Sequence, residues 1–255
     1  MNNKTAFTYA WEFIRSNWIL TAMVITILVG IGVLSFIPLI GAIFSILITL
    51  IIFNLQIYFG KLVSESQSVE DIKKFSKKTE LESFLFKYIN IAAGAYLGFF
   101  VLFLLVGTIY GLVMAKFGID YYSGGLTGFG LLWILIGMVI FGIVGYIYPA
   151  VMGEILKTGS FMEAFKSVFN LFNPNLWKKS LNKKYFGFVS IWMLLILGLA
   201  IMSAVLIILV PVGMFFTLFL SLFSGAAYII ASNLLKEESQ TNQNNEEETE
   251  QVQES

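Results

Sequence analysis

Asp71, Glu154 and Glu163 are the side chains in this chain that could do hydrolytic or metal-assisted chemistry. Each lies just outside a long apolar run. A metal-dependent reaction would need all three to converge around an ion at one face. Nothing in their spacing demands that. The 255 residues include no cysteine and no histidine. That excludes disulfides and thiolate nucleophiles, the usual general base near neutral pH and the commonest zinc ligand. No phosphate loop, HExxH helix or nucleophile elbow occurs. The expectation is a protein without catalytic residues, cofactor or metal, and the carboxylate cluster stands as the one route to a membrane enzyme.

The elements that would hold such groups are almost wholly apolar. Hydrophobic residues make up 58% of the chain and charged residues 13%, against roughly 25% charged in a soluble domain. Mean hydropathy is +0.83. A membrane-crossing helix needs about 20 apolar residues, and six such runs are expected, at about 18–37, 39–59, 87–115, 129–152, 185–210 and 212–235. "SFIPLIG" (Ser35 to Gly41) must turn the chain between the first two. The alternative is a kink in one helix from Trp18 to Phe59. That helix would be about 63 Å long, twice the roughly 30 Å of hydrocarbon. "LVPVG" (Leu209 to Gly213) breaks the last long run for the same reason. The opening "MNNKTAFTYAWEFIRSNW" is polar and aromatic and does not read as a cleaved signal peptide. The fold class expected is all-α, a polytopic membrane bundle of six helices in three hairpins with amphipathic linkers. The integral domain covers residues 1–236.

Charge sets the expected orientation. All of the 16 basic residues except Lys116 fall on one side of this six-span scheme. Lysine and arginine accumulate in cytoplasmic segments, so both termini and both long linkers are expected in the cytoplasm of a bacterial inner membrane. The tail, Glu237 to Ser255, carries seven acids and no base, and is expected to be disordered and cytoplasmic. The basic linkers need no nucleic-acid partner to explain them.

The second linker, "SFMEAFKSVFNLFNPNLWKKSLNKK" (Ser160 to Lys184), is the candidate contact surface. Phe161, Phe165, Phe169 and Phe172 recur at helical spacing. Ser160 and Glu163 match a capping box, and "NPN" ends the helix. Trp177, Lys178, Lys179, Lys183 and Lys184 follow. Rings at an acyl boundary with lysines at phosphates would suit an interfacial helix on anionic lipid. A short helix packed on the bundle ends, or one that binds a protein partner, fits the same residues. The first linker has a related form, "SVEDIKKF" (Ser68 to Phe75), offset by 92 residues from Ser to Ser, which suggests a repeated unit. Thr79 and Glu82 make a further capping-box pattern there.

No Asp, Glu, Lys or Arg lies near the centre of an expected span, so no charged relay is expected within the bundle. Polar span residues such as Asn54, Gln56 and Ser221 read as satisfied structural groups. Gly94 and Gly98 form a GxxxG pair, as do Gly107 and Gly111. Close pairing of the third and fourth spans is the expectation.

"SFIPLIGAIF" and "GEILKTGSFMEAFKSVF" resemble segments of a group of uncharacterised bacterial and archaeal multi-pass membrane proteins. Distantly similar wording, a Pro-Gly hairpin and an acidic–Gly–Ala–Phe linker, occurs in membrane domains attached to glycerophosphodiester phosphodiesterases. The resemblance implies a helical integral membrane protein across residues 1–235. It implies no phosphodiesterase activity, because the chain as read holds no such soluble domain. The function expected is a non-enzymatic membrane protein that organises lipid or an envelope complex, with membrane lipids and a membrane-protein partner or second copy as its partners. The alternative is a transporter or channel subunit for a neutral or amphipathic solute.

Overall fold

The computed structural model describes the backbone of residues 2–38, 40–116, 128–205 and 209–253, and the side chains of these apart from 113–116, 128–134, 204 and 237–253. Every regular element among the described residues is helical. Five helices are long and apolar enough to cross a membrane, and a bent pair at the N-terminus makes up to six.

That pair is α1 (Asn3–Ser16) and α2 (Trp18–Leu34), which meet at 95°. The first is a helix where the sequence suggested only a polar lead-in. Ala6, Tyr9, Ala10, Phe13 and Ile14 form its buried stripe, the i, i+3, i+4, i+7 pattern of an amphipathic helix. Asn17 makes the corner. Its Oδ1 accepts from Leu20 N at 3.2 Å, capping α2, and its Nδ2 donates to Ser76 O at 2.7 Å.

The turn expected in "SFIPLIG" is present. Helix α2 stops at Leu34 and α3 spans Gly41–Glu65. Ser35 Oγ donates to Gly32 O, and Gly41 N donates to Ile37 O. A Cβ on Gly41 would stand 2.1 Å from Ser35 O, so only glycine fits this close approach.

The first linker holds α4 (Val69–Lys78) and α5 (Leu81–Phe86), and α6 (Ile89–Lys116) follows. Ser68 and Asp71 close both arms of a capping box on α4. The Thr79–Glu82 box does not form. Thr79 Oγ1 instead donates back to Phe75 O at 2.9 Å, and α5 has no side-chain cap. A threonine ending one helix can bond that helix's carbonyls as readily as it can cap the next. Ser76 Oγ donates to Phe13 O at 2.7 Å, which ties α4 to α1. Asn54, buried within α3, donates to Phe84 O at 2.8 Å and accepts from Tyr88 N at 2.9 Å, fixing the break between α5 and α6. It is the satisfied structural polar group that the sequence suggested, as is Ser221, whereas Gln56 Oε1, read the same way, is buried without a hydrogen-bond partner.

The later elements are α7 (Gly128–Ile155), α8 (Phe161–Val168), a 3₁₀ turn (Phe169–Phe172), α9 (Pro174–Ser180), α10 (Lys183–Val205) and α11 (Val210–Gln253). Helix α10 is described as far as Val205, and the end of the fifth expected span, up to 210, falls partly outside the described residues. Helix α11 carries backbone helix on through 237–253, the segment read from sequence as a disordered tail. Glutamate and glutamine are good helix formers and here continue a helix already nucleated.

Helix α11 is the axis of the bundle. Of its apolar stretch 67% is buried, against 17% to 39% in the other four candidate spans. It packs along α3, α10, α1 and α7. Contact with α3 is backbone to backbone, since a Cβ on Gly225 would lie 2.3 Å from Gln56 O and one on Gly60 would lie 2.9 Å from Gly225 O. Leu218, Leu222, Phe223, Ala226, Ala227 and Ala231 fill the space around it and are fully buried or nearly so.

The glycine pair Gly94–Gly98 has a different partner from the one expected. It receives α8, not the fourth span. A Cβ on Gly94 would be 2.2 Å from Phe161 O, and one on Gly98 would be 2.7 Å from Val168 Cγ2. Small residues admit a close neighbour without specifying which one. A methyl added at Gly107 or Gly111 would meet nothing within 4 Å, so that second pair makes no close approach among the described residues.

Candidate functional site

Three chain segments meet at the lysine-rich end of the bundle. Lys61 Nζ donates to Thr158 O at 2.9 Å, which brings the end of α3 beside the end of α7. Gly153 on α7 lies against Tyr228 and Ser232 on α11, where a Cβ would be 2.8 Å from Ser232 Cβ and 2.9 Å from Tyr228 O. The linker from α8 to α9 then closes over both.

Its local folding follows from side-chain capping. Ser160 Oγ accepts from Glu163 N at 3.3 Å, but Glu163 Oε2 accepts from Gly159 N at 2.9 Å, one residue before the position a full box would use. Asn173 ends the 3₁₀ turn and caps α9, accepting from Asn175 N at 3.0 Å, with Pro174 at the first helical position. Proline there forfeits only an N–H that would be unpaired anyway. "NPN" therefore ends one helix and starts the next.

The predicted contact residues divide into two groups. Ala164, Val168 and Leu171 form the buried face of this linker. Phe165 and Phe169 are half-buried, with ring centroids 5.5 Å apart. Phe161 and Phe172 are exposed, Phe172 at 61%. Trp177 is half-buried beside Tyr146, and its Nε1 donates to Leu171 O at 2.6 Å. Lys178, Lys179, Lys183 and Lys184 lie along the same stretch, and all four are exposed. The surface thus combines exposed rings with ammonium groups, a combination suited to a membrane interface.

Between this linker and the bundle lies a cavity of about 440 Å³. Helix α7 contributes Glu154, and Lys157 follows just after it. The linker contributes Asn170, Asn173, Asn175 and Lys179. Helix α11 contributes Ser232 and Lys236. Glu154 is ion-paired with Lys157. Among the described residues, no carboxylate pairs with Lys179 or Lys236. Ser232 Oγ is buried without a hydrogen-bond partner. Of the lining residues only Lys179 belongs to the predicted contact set. Ser232 and the asparagines carry no signal in the sequence, because what singles them out is their convergence from separate helices.

The three carboxylates of the candidate metal centre are each engaged elsewhere. Asp71 accepts from Ser68 Oγ at 2.9 Å, Glu154 from Lys157, and Glu163 from Gly159. No group of three metal-ligating side chains stands together among the described residues. Ser68's hydroxyl holds the Asp71 carboxyl below its ordinary range, helped by the Gln67 and Ser68 amides.

These features define the class: a multi-spanning helical membrane protein, with no catalytic constellation among the described residues. No protein-family model matches the chain, and neither the curated proteins nor the solved structures searched contain a match to it.

Proposed function

We propose that this chain is a non-enzymatic membrane protein that organises lipid at the lysine-rich end of its bundle. In this reading the spans form three hairpins in a bacterial inner membrane, with both termini and the linkers in the cytoplasm. The observation that carries it is the division of labour between the two parts of the molecule. The interior around α11 is filled by apolar side chains and direct backbone contact, while Phe161, Phe172, Lys178 and Lys179 collect at one end. A filled centre suits a scaffold, and a ring-and-lysine surface suits anionic headgroups. The sequence resemblance to multi-pass membrane domains agrees with this reading.

The test is lipid analysis of protein extracted directly into nanodiscs. Anionic phospholipid should be enriched several-fold over the bulk membrane, and Lys178→Gln with Lys183→Gln and Lys184→Gln should reduce that enrichment. A lipid content equal to bulk in both proteins would remove the lipid-organising reading. Solute flux through reconstituted protein would favour transport in its place.

A further inference from the structure

The cavity under the α8–α9 linker is a built site, and we infer that it binds a phosphate group, the dianionic or diester headgroup of a phospholipid. The inference rests on the lipid reading above for the source of that phosphate, but the geometry concerns the phosphate alone.

Ser232 is the first observation. The residue is 3% exposed, and its hydroxyl has no partner. Other helical hydroxyls in this chain bond back to the carbonyl four residues earlier: Thr26 to Ala22, Thr49 to Ser45, Thr217 to Gly213 and Ser221 to Thr217. Ser232 has Tyr228 O at the same interval and does not take it. It lines the cavity instead. Buried polar groups in folded proteins are nearly always satisfied; Asn3 Oδ1, Gln56 Oε1 and Trp192 Nε1 are also without a partner, but Ser232 is the one of the four that lines this cavity, where it offers a donor to a bound acceptor. Gly153 makes the arrangement possible, since any larger residue would collide with Ser232 and Tyr228.

The charge around the cavity is the second observation. Lys157, Lys179 and Lys236 line it, with Glu154 the one carboxylate among the described residues. Glu154 is already occupied by Lys157, which leaves an excess of positive charge from Lys179 and Lys236. Asn173 uses its Oδ1 to cap α9, so its amide N–H₂ remains to donate. Hydroxyl, amide and ammonium donors thus come from separate helices to one space. A phosphate offers several strong acceptors and the complementary charge. A neutral sugar or amine would leave the lysines without a counter-charge. The cavity lies midway along α11, where its apolar stretch gives way to Lys236, which is the level of a lipid headgroup.

The test uses the full chain in maltoside detergent, which carries no phosphate. Dihexanoyl phosphatidic acid and inorganic phosphate are titrated separately by calorimetry, with dihexanoyl glycerol as the uncharged control. Lys179→Gln with Lys236→Gln should weaken phosphatidic acid by about tenfold or more, as expected for loss of charge-assisted hydrogen bonds. Ser232→Ala should weaken it several-fold while leaving thermal stability unchanged or higher, because it deletes an unpaired donor. Lys77→Gln with Lys78→Gln, on α4 and outside the cavity, should change nothing. Saturable binding of inorganic phosphate with the same variant pattern, and no binding of the lipid, would uphold the phosphate site while removing the lipid reading. Binding that ignores all these variants, or no binding of either probe, would overturn the site. In that last case enrichment of anionic lipid in nanodiscs would still report on the lipid reading by itself.

Discussion

Replacing Gly225 with alanine should destabilise the bundle more than any other single-methyl addition on α11. The new Cβ would lie 2.3 Å from Gln56 O, 3.1 Å from Gln56 C and 3.1 Å from Gly60 N. Ordinary contact begins near 3.4 Å, so the helices must separate by about 1 Å. All three obstructing atoms are backbone, and no rotamer change can relieve them. Overpacking of this kind costs about 1–3 kcal/mol. The clash is wholly with backbone, which puts the cost in the upper part of that range, and alanine returns somewhat under about 1 kcal/mol through helix propensity, so a net loss of roughly 1–2 kcal/mol is expected. Gly111→Ala supplies the control, since nothing among the described residues lies within 4 Å of its Cβ position. Only helix propensity operates there, and that variant should be as stable as the parent or slightly better. Reversible unfolding in mixed micelles, or steric trapping in bicelles, measures both on one scale. Equal stability of Gly225→Ala and the parent would refute the close α3–α11 contact at the centre of the core.

Other outcomes follow from separate contacts. Asn54→Leu leaves the buried Phe84 O and the part-buried Tyr88 N without their present partner, and should cost about 2–4 kcal/mol in the same unfolding assay, about 1–3 for the carbonyl and about 1 for the amide. Gly94→Ala would drive a methyl into Phe161 O at 2.2 Å, so hydrogen exchange across 161–168 should accelerate by about tenfold or more while α11 is unaffected. The Asp71 carboxyl, held low by Ser68, stabilises the start of α4 at neutral pH. That contribution is present above the ordinary carboxylate pKa and is lost as pH falls through the lower folded value. Exchange protection factors for α4, corrected for intrinsic rates, should therefore fall in acid, and Asp71→Asn should flatten the profile.

Much of the architecture was legible because bilayer crossing imposes length and polarity together. "SFIPLIG" revealed its turn, since one helix from Trp18 to Phe59 would be too long for a single crossing. The Ser68–Asp71 box was legible as a local pattern, and the structure closes it. Thr79–Glu82 had the same pattern and failed, because Thr79 also had a helix behind it to bond. The buried stripe of α1 is present in its spacing, but the segment is polar and aromatic overall and reads from sequence only as a lead-in to the first span. In α8 the rings stood out, yet the smaller Ala164 and Val168 face the bundle, because α6 offers them a glycine groove. The cavity was the least legible part. Glu154 and Asn173 are 19 positions apart in chain order and Ser232 is far beyond both. Periodicity reports which face of one helix is buried, not which helices share a space.

The position of α11 in chain order has a consequence for biogenesis. The helix that most others lean on leaves the ribosome after α1, α3, α7 and α10 have all been made. Until then Gly60 and Gly153 have no α11 backbone to meet, and the earlier spans can only be inserted, not assembled. Insertion and consolidation are thereby separated in time. A nascent chain arrested before Leu209 should be integrated in the bilayer yet open to protease at its linkers, and should become resistant only once α11 is released. On this order of events, the unassembled spans are the form in which the molecule is expected to be open to proteolysis during synthesis.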